Sequence, residues 1–181
     1  MITSDRLLLR PHTPEDLEAI LAVTTDAAVN QFIRGMPTTR EEAWRRLLQH
    51  TGHWSLFGYG MFAVVERATG TVMGELGLAN FHRGLGASFD GSPEAGWLLR
   101  GAFHGKGFAS EAMSAVLRWF DETRSELRTV CIIDPDNASS IQLATRLGFS
   151  PFGASEYRGA TVTMFERQRP QLGREPSHLS N

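Results

Sequence analysis

The spacing of apolar positions changes twice along the chain and divides it into helical and extended stretches. Leu7-Leu8-Leu9 is a short apolar run closed by Pro11 and predicts a buried strand. Thr13-Pro14-Glu15-Asp16 then predicts a helix start: Thr13 is the N-cap, Pro14 suits the first helical position, and two acids sit at the positive end of the dipole. Leu17, Ile20, Leu21 and Thr24 recur behind it at helical spacing. Thr39-Arg40-Glu41-Glu42 reads as a capping box, followed by the apolar stripe Ala43, Trp44, Leu47 and Leu48.

From Met61 onward the pattern is that of strands. Met61–Glu66 and Thr71–Phe81 flank the turn Ala68-Thr69-Gly70 and predict a hairpin. Residues 84–93, rich in Gly, Ser and Asp, predict a mobile loop, and Glu94–Leu99 resumes strand character. A glycine-bearing loop, Arg100–Gly107, leads into a helix striped by Ala112, Met113, Val116, Leu117 and Phe120. Thr129–Ile133 reads as a strand buried on both faces, broken by Asp134-Pro135-Asp136-Asn137. A helix follows over 138–147 with Gly148 just past its end, and Thr161–Phe165 predicts a last strand. Two helices, a hairpin, then strand–helix–strand–helix–strand is an α+β order, unlike the regular alternation of a doubly wound sheet.

Length and composition narrow the class. A chain of 181 residues is one domain at ~100–200 residues per domain, and its core needs no disulfide or metal. Eighteen basic against twenty acidic residues lacks the basic excess of a general nucleic-acid binder. The single cysteine, Cys131, lies in an apolar strand; it excludes a disulfide framework and reads as inert core. The six histidines show no local ligand spacing such as His-x3-His, so no metal is expected. No stretch approaches the ~20 apolar residues of a membrane span, and Met1–Arg6 lacks the features of a signal peptide, so a cytoplasmic protein is expected. The polar run from Arg167 predicts a disordered tail over 167–181 behind a domain of residues 1–166.

The strongest local signal is the junction Trp97–Ala112, where a strand feeds a glycine loop that opens a helix. Free N–H groups and the helix dipole make such a place a phosphate site. A nucleotide P-loop fails on spacing, because Gly101 is one residue too close to Gly105 and Lys106 is followed by Gly107 instead of a hydroxyl residue. A dinucleotide fingerprint fails more narrowly: Gly105-Lys106-Gly107-Phe108-Ala109 ends in Ser110, and a hairpin precedes it where a βαβ unit should begin. Lys106, the only lysine in the chain, is either a solvated charge or part of the site. Glu111, at the helix start, is a favourable dipole partner.

His104-Gly105-Lys106-Gly107-Phe108-Ala109 resembles the acyl-CoA pyrophosphate loop of the GNAT N-acetyltransferase superfamily, with His104 where Gln or Arg is usual. The block Gly105–Ala112 is similar to that of the branch containing the ribosomal-protein alanine and serine N-acetyltransferases. Asn137-Ala138-Ser139-Ser140 with Leu147-Gly148-Phe149 resembles a second segment of that branch. So do Ser4–Pro11, Gly70–Glu75 and Glu94–Trp97, all in the expected order between Ser4 and Phe165. The resemblance implies a single α+β domain: a mixed, mostly antiparallel sheet flanked by helices, with splayed central strands.

It also implies a reaction: acetyl-CoA, as cosubstrate, gives its acetyl group to a primary amine, peptide or small molecule, by direct attack in a ternary complex. A primary amine is mostly protonated at neutral pH, so a base is needed; a strand-end carboxylate can serve, with Glu94 first and Glu75 second. By resemblance the backbone N–H of Leu98 or Leu99 holds the oxyanion, and His104, Gly105, Lys106, Gly107, Phe108, Ala109, Ser110 and Asn137 hold the cofactor. Asn137 also reads simply as a helix N-cap. Many superfamily members protonate the thiolate with a tyrosine seven residues after the asparagine. Here that position is Ala144, and Ser140 is the substitute implied. The absent tyrosine keeps a non-catalytic acyl-CoA-binding module open as an alternative. Residues 84–93 and 44–59 are expected to shape the acceptor pocket, and the chain is expected to act as a monomer or homodimer.

Overall fold

An eight-stranded sheet forms the frame of the computed structural model, which describes residues 1–170 other than 34 and 37. In chain order the elements are β1 (Ile2–Thr3), β2 (Leu7–Pro11), α1 (Leu17–Thr24), α2 (Ala27–Asn30), α3 (Arg40–Phe57), β3 (Met61–Glu66) and β4 (Val72–Ala79). Then come β5 (Glu94–Leu99), α4 (Phe108–Thr123), β6 (Arg128–Ile133), α5 (Ala138–Arg146), β7 (Ser150–Tyr157) and β8 (Ala160–Gln168). The strands lie in the order β1-β2-β3-β4-β5-β6-β8-β7. Every neighbouring pair is antiparallel except β5 and β6, which are parallel and share a single register pair, Glu94 with Val130. The expected α+β class, mixed sheet and splayed centre are therefore all present.

Local chemistry explains the elements. The Thr39 hydroxyl accepts from the Glu42 N–H at 3.2 Å and the Glu42 carboxylate accepts from the Thr39 N–H at 3.1 Å, the reciprocal bonds of a capping box. Asp16 accepts from the Thr13 N–H at 2.8 Å, and Pro14–Asp16 forms a single 3-10 turn ahead of α1. Gly148 adopts φ +87° beyond α5, as a left-handed stop requires.

Both sheet faces are covered around β3 and β4. Leu76 joins the main core with Leu7, Leu9, Phe62 and the α4 stripe Ala112, Met113, Val116, Leu117 and Phe120. Its neighbour Glu75 must point to the opposite face, where it meets Arg46 and His50 of α3. Leu17 and Ile20 of α1 pack on Ala43 and Leu47 of α3 above that face.

Three elements lack a signature in the sequence: β1 and α2, which are very short, and β7. In β7, Pro151 and Gly153 interrupt any alternation, and the register shifts between them. The last strand runs to Gln168, past the expected domain boundary at 166. Arg167 is buried and bidentate to Asp121 (3.0 and 2.5 Å), and the Arg169 N–H reaches the Leu127 carbonyl at 2.7 Å. The rest of the expected tail, residues 171–181, lies outside the described residues. Among the described residues no helix is long and apolar enough to cross a membrane.

Candidate active site

The parting of β5 from β6 creates the site. Val130 N–H donates to Pro93 O at 3.0 Å, and Arg100 N–H donates to Met73 O at 3.0 Å on the other side of β5. These two bonds set the alternation along the strand: even-numbered residues pair with β4, odd-numbered ones face β6. Leu98 therefore spends its N–H in the ladder opposite Glu75, whereas the N–H groups of Trp97 and Leu99 face the gap. Of the two oxyanion donors expected from the sequence, only Leu99 has an amide in the right direction.

A cavity of about 590 Å³ occupies this gap and is lined by Glu94, Leu98, Trp97, Asn137 and Ser140, among others. Side chains alternate along β5, so Glu94 and Leu98 share the Glu75 face, on the α3 side, while Trp97 points to the other. The cavity thus passes through the sheet and joins its two faces. The glycine loop is not part of this lining but follows directly from β5.

Glu94 is buried and clasped by Arg83, whose Nε lies 2.8 and 2.6 Å from its two oxygens. Burial pushes the Glu94 carboxyl above its ordinary value, and the Arg83 guanidinium offsets part of that rise. Arg83 Nη1 also donates to the Tyr157 hydroxyl at 2.8 Å. Glu75, the second base candidate, is fully buried and bonded to Arg46 and to His50 (3.0 Å). Desolvation alone would raise its carboxyl, but Arg46 and His50 outweigh it and hold Glu75 well below the usual range. Glu75 fixes α3 to the sheet and is absent from the cavity lining.

On the opposite wall, Asn137 caps α5 by accepting from the Ser140 N–H at 3.0 Å. The Ser140 hydroxyl accepts from Trp97 Nε1 at 3.2 Å and keeps its own hydrogen to donate. Ala144 is fully buried in the main core.

The loop after β5 has the backbone that its glycines suggest. Gly105 and Gly107 adopt φ +72° and +80°, and Gly107 is the N-cap of α4. The first bond into the helix runs from the Glu111 N–H to Gly107 O at 3.0 Å, so the amides just before it lack helical acceptors. A Cβ built on Gly105 would meet nothing within 4 Å, so the approach to these amides is open. Phe108 is buried beneath the Arg6 guanidinium, which lies 4.3 Å from its ring and also holds Lys106 O at 3.0 Å. His104 donates through Nε2 to Leu99 O at 2.7 Å; facing a carbonyl, that nitrogen must carry the proton. Lys106 is exposed, with its ammonium 5.8 Å from the Phe103 ring. Ala109 and Ser110 are half-buried in the first turn, and Glu111 is tied to Ser4 (2.7 Å) and Arg6, a structural role.

The fold also gathers His12, His50 and Glu75, whose ligand-type atoms lie within 4.8 Å of one another. Local spacing could not reveal this trio, which comes from three separate segments. The donor set fits a divalent ion poorly, because Arg46 already neutralises Glu75 and two further charges would be buried uncompensated. The His12 and His50 rings stack at 5.0 Å. Burial pushes His12 down to about 4, against the upward pull of Glu75 and of Asp16 at 3.7 Å.

Sequence reasoning missed Arg83, Tyr157 and Arg158 as cavity residues. The region 44–59 contributes Arg45, Arg46 and Gln49, as expected, but residues 84–93 contribute none. That loop is pinned instead, with Asp90 accepting from the N–H groups of Gly84 (3.2 Å) and Gly86 (2.9 Å) and Phe89 buried.

A family model described as the acetyltransferase (GNAT) domain matches residues 6–150. A solved structure described as a GnaT-family acetyltransferase from Bordetella pertussis is 32% identical and superposes with a TM-score of 0.84, covering 92% of this chain and 98% of that one. An uncharacterised N-acetyltransferase, p20, of Bacillus licheniformis is 27% identical over 151 residues, 83% of this chain and 82% of that protein. The ribosomal protein uS5-alanine N-acetyltransferase of Escherichia coli (strain K12) is 27% identical over 167 residues, 86% of this chain and 81% of that protein.

Proposed function

For a chain that belongs to the GNAT acetyltransferase family and is thereby an N-acetyltransferase, we propose that a primary amine attacks acetyl-CoA directly in the gap between β5 and β6. The observation that carries this reading is the cavity running through the sheet where those strands part. Donor and acceptor can meet there from opposite faces.

In this reading the backbone amides around Gly105–Ser110 receive the pyrophosphate, aided by the α4 dipole. His104 orients Leu99 by binding its carbonyl, and Asn137 and Leu98 border the pantetheine arm. The acceptor comes from the α3 side. Glu94 takes a proton from the ammonium, directly or through water, and its burial-raised affinity for protons suits that task. The nitrogen then attacks the thioester carbon, and the Leu99 N–H holds the oxyanion. As the C–S bond breaks, Ser140 gives its proton to the sulfur and regains one, through water, from the nitrogen that is becoming an amide.

A thermal melt with acetyl-CoA, paired with an assay of CoA thiol release across an amine panel, tests this. At ~100 times its dissociation constant acetyl-CoA should add ~2.7 kcal/mol of stability. Thiol release should appear with at least one class of amine. A shift without release for any amine would instead mark an acyl-CoA-binding module.

A further inference from the structure

We propose that Arg6 is a positioning residue for acetyl-CoA: by gripping the Lys106 carbonyl it turns the Gly107 amide toward the diphosphate. The inference rests on the acetyl-transfer reading above and adds to its donor site a residue from outside the glycine loop.

Arg6 belongs to the turn between β1 and β2, 100 residues from Lys106 in sequence. Its backbone is anchored first. The Arg67 N–H donates to Arg6 O at 2.9 Å, and Arg67 Nη1 donates to the carbonyls of Ser4 and Asp5, each at 2.9 Å. The guanidinium is then fixed on three sides. Nη1 donates to Lys106 O at 3.0 Å, Nε donates to Glu111 Oε2 at 2.7 Å, and the Phe108 ring centroid lies 4.3 Å from the guanidinium carbon.

A trans peptide unit is planar, with its carbonyl and its N–H pointing in opposite directions. Lys106 O and the Gly107 N–H belong to one such unit. With the oxygen turned toward Arg6, the N–H must face the other way, and it has no acceptor among the described residues. Glycine permits the left-handed turn but does not enforce it, so a grip from outside keeps this amide aimed before a ligand arrives. A second effect concerns charge. Glu111 sits in the first turn of α4, where a bare carboxylate would repel a diphosphate. Arg6 neutralises it, with further donation from Ser4 Oγ at 2.7 Å and from the Arg6 N–H at 3.0 Å. Holding a carbonyl and a carboxylate at once takes the planar fork of arginine, which the single nitrogen of lysine lacks. The Arg6 side chain is 48% exposed, and so exposed an ion pair contributes little to folding. Affinity and stability are therefore separable.

The test is isothermal titration calorimetry with acetyl-CoA and with its 3′-dephospho form, beside melts of the ligand-free protein. Arg6→Gln should raise Kd about tenfold or more, the worth of one hydrogen bond to a charged group. The factor should be the same for both ligands, since both carry the diphosphate. Arg6→Lys should bind about as weakly, because charge without the fork does not hold the peptide unit. Arg10→Gln is the control: it breaks the less exposed pair of Arg10 with Asp16 (2.6 and 2.7 Å) on β2, so its melt should fall further while Kd stays at the wild-type value. Wild-type affinity in Arg6→Gln or in Arg6→Lys would overturn the proposal. So would a loss confined to acetyl-CoA, which would make Arg6 a contact of the 3′-phosphate, or an equal loss in Arg10→Gln, which would make the effect one of general stability. If the wild-type protein binds neither ligand, the acetyl-transfer reading itself fails, a result distinct from binding that ignores Arg6.

Discussion

The indole of Trp97 on β5 donates from Nε1 to the hydroxyl of Ser140 on α5 at 3.2 Å, tying together two elements 43 residues apart in sequence. The bond spans the place where β5 and β6 part company. It holds Ser140 against the cavity while leaving the hydroxyl hydrogen unspent. The same helix turn is capped through the Ser140 backbone, so hydroxyl and cap are separable by mutation.

Ser140→Ala should therefore lower kcat by about tenfold, a modest effect because a thiol near pKa ~8.5 already leaves readily. Acetyl-CoA affinity should move less than threefold. Asn137→Ala, by contrast, should lose about 1 kcal/mol of stability with the cap. Steady-state kinetics beside denaturant melts would check both; an unchanged kcat in Ser140→Ala would leave that hydroxyl with a structural role alone.

Gly107→Val places a β-branched side chain at φ +80°, against the Arg6 guanidinium, whose Nη2 lies 3.5 Å from the new Cβ. A stability loss of order 1–3 kcal/mol is expected from the backbone strain, together with loss of the acetyl-CoA melt shift. Gly70→Val has nearly the same φ, +72°, in the β3–β4 turn and serves as the control. It should show comparable strain and a full acetyl-CoA shift in a thermal melt.

Glu94→Gln should lower kcat/KM by roughly 10²-fold or more if this carboxylate takes the amine's proton. Burial holds Glu94 above its ordinary value of 4.5 although Arg83 pulls the other way, so the acid limb of the kcat/KM profile should lie above that value. Arg83→Gln removes the downward pull, and the limb should move further toward alkaline pH. A profile that stays put in Arg83→Gln would mean that another group titrates.

His12 titrates at about 4 in the folded chain, against 6.5 ordinarily. Between these values the unfolded chain binds a proton that the folded chain refuses, so stability falls as pH drops from about 6.5 to about 4 and then levels off. The loss should be on the order of 3 kcal/mol. His12→Gln should flatten that window in pH-dependent melts. Depressed carboxyls such as Glu75 and Asp16 contribute stability that is lost only in more acid solution, which keeps the two effects apart.

Much of the site was legible because its signals are local. The N-cap at Asn137, the left-handed glycines at 105 and 107, and the missing tyrosine at Ala144 each depend on a few neighbouring residues. Glu94 was found as a strand-end carboxylate, but its partner was not. Arg83 sits in a connection with no periodicity, and Tyr157 and Arg158 belong to β7 and its turn, where an exposed pattern broken by Pro151 and Gly153 hides the strand.

The sequence by itself determined most elements of this protein, the left-handed glycine turn after β5 and the inventory of chemical groups, because hydrogen bonds four residues apart and backbone sterics act within a short window. Only the tertiary structure decided that β5 and β6 meet at one residue pair and diverge, that Leu99 instead of Leu98 turns its amide to the gap, and that Arg83 neutralises Glu94. Those outcomes follow from which strands pair and in what direction. That choice is made by burying both faces of a whole sheet at once, so no short stretch of residues encodes it.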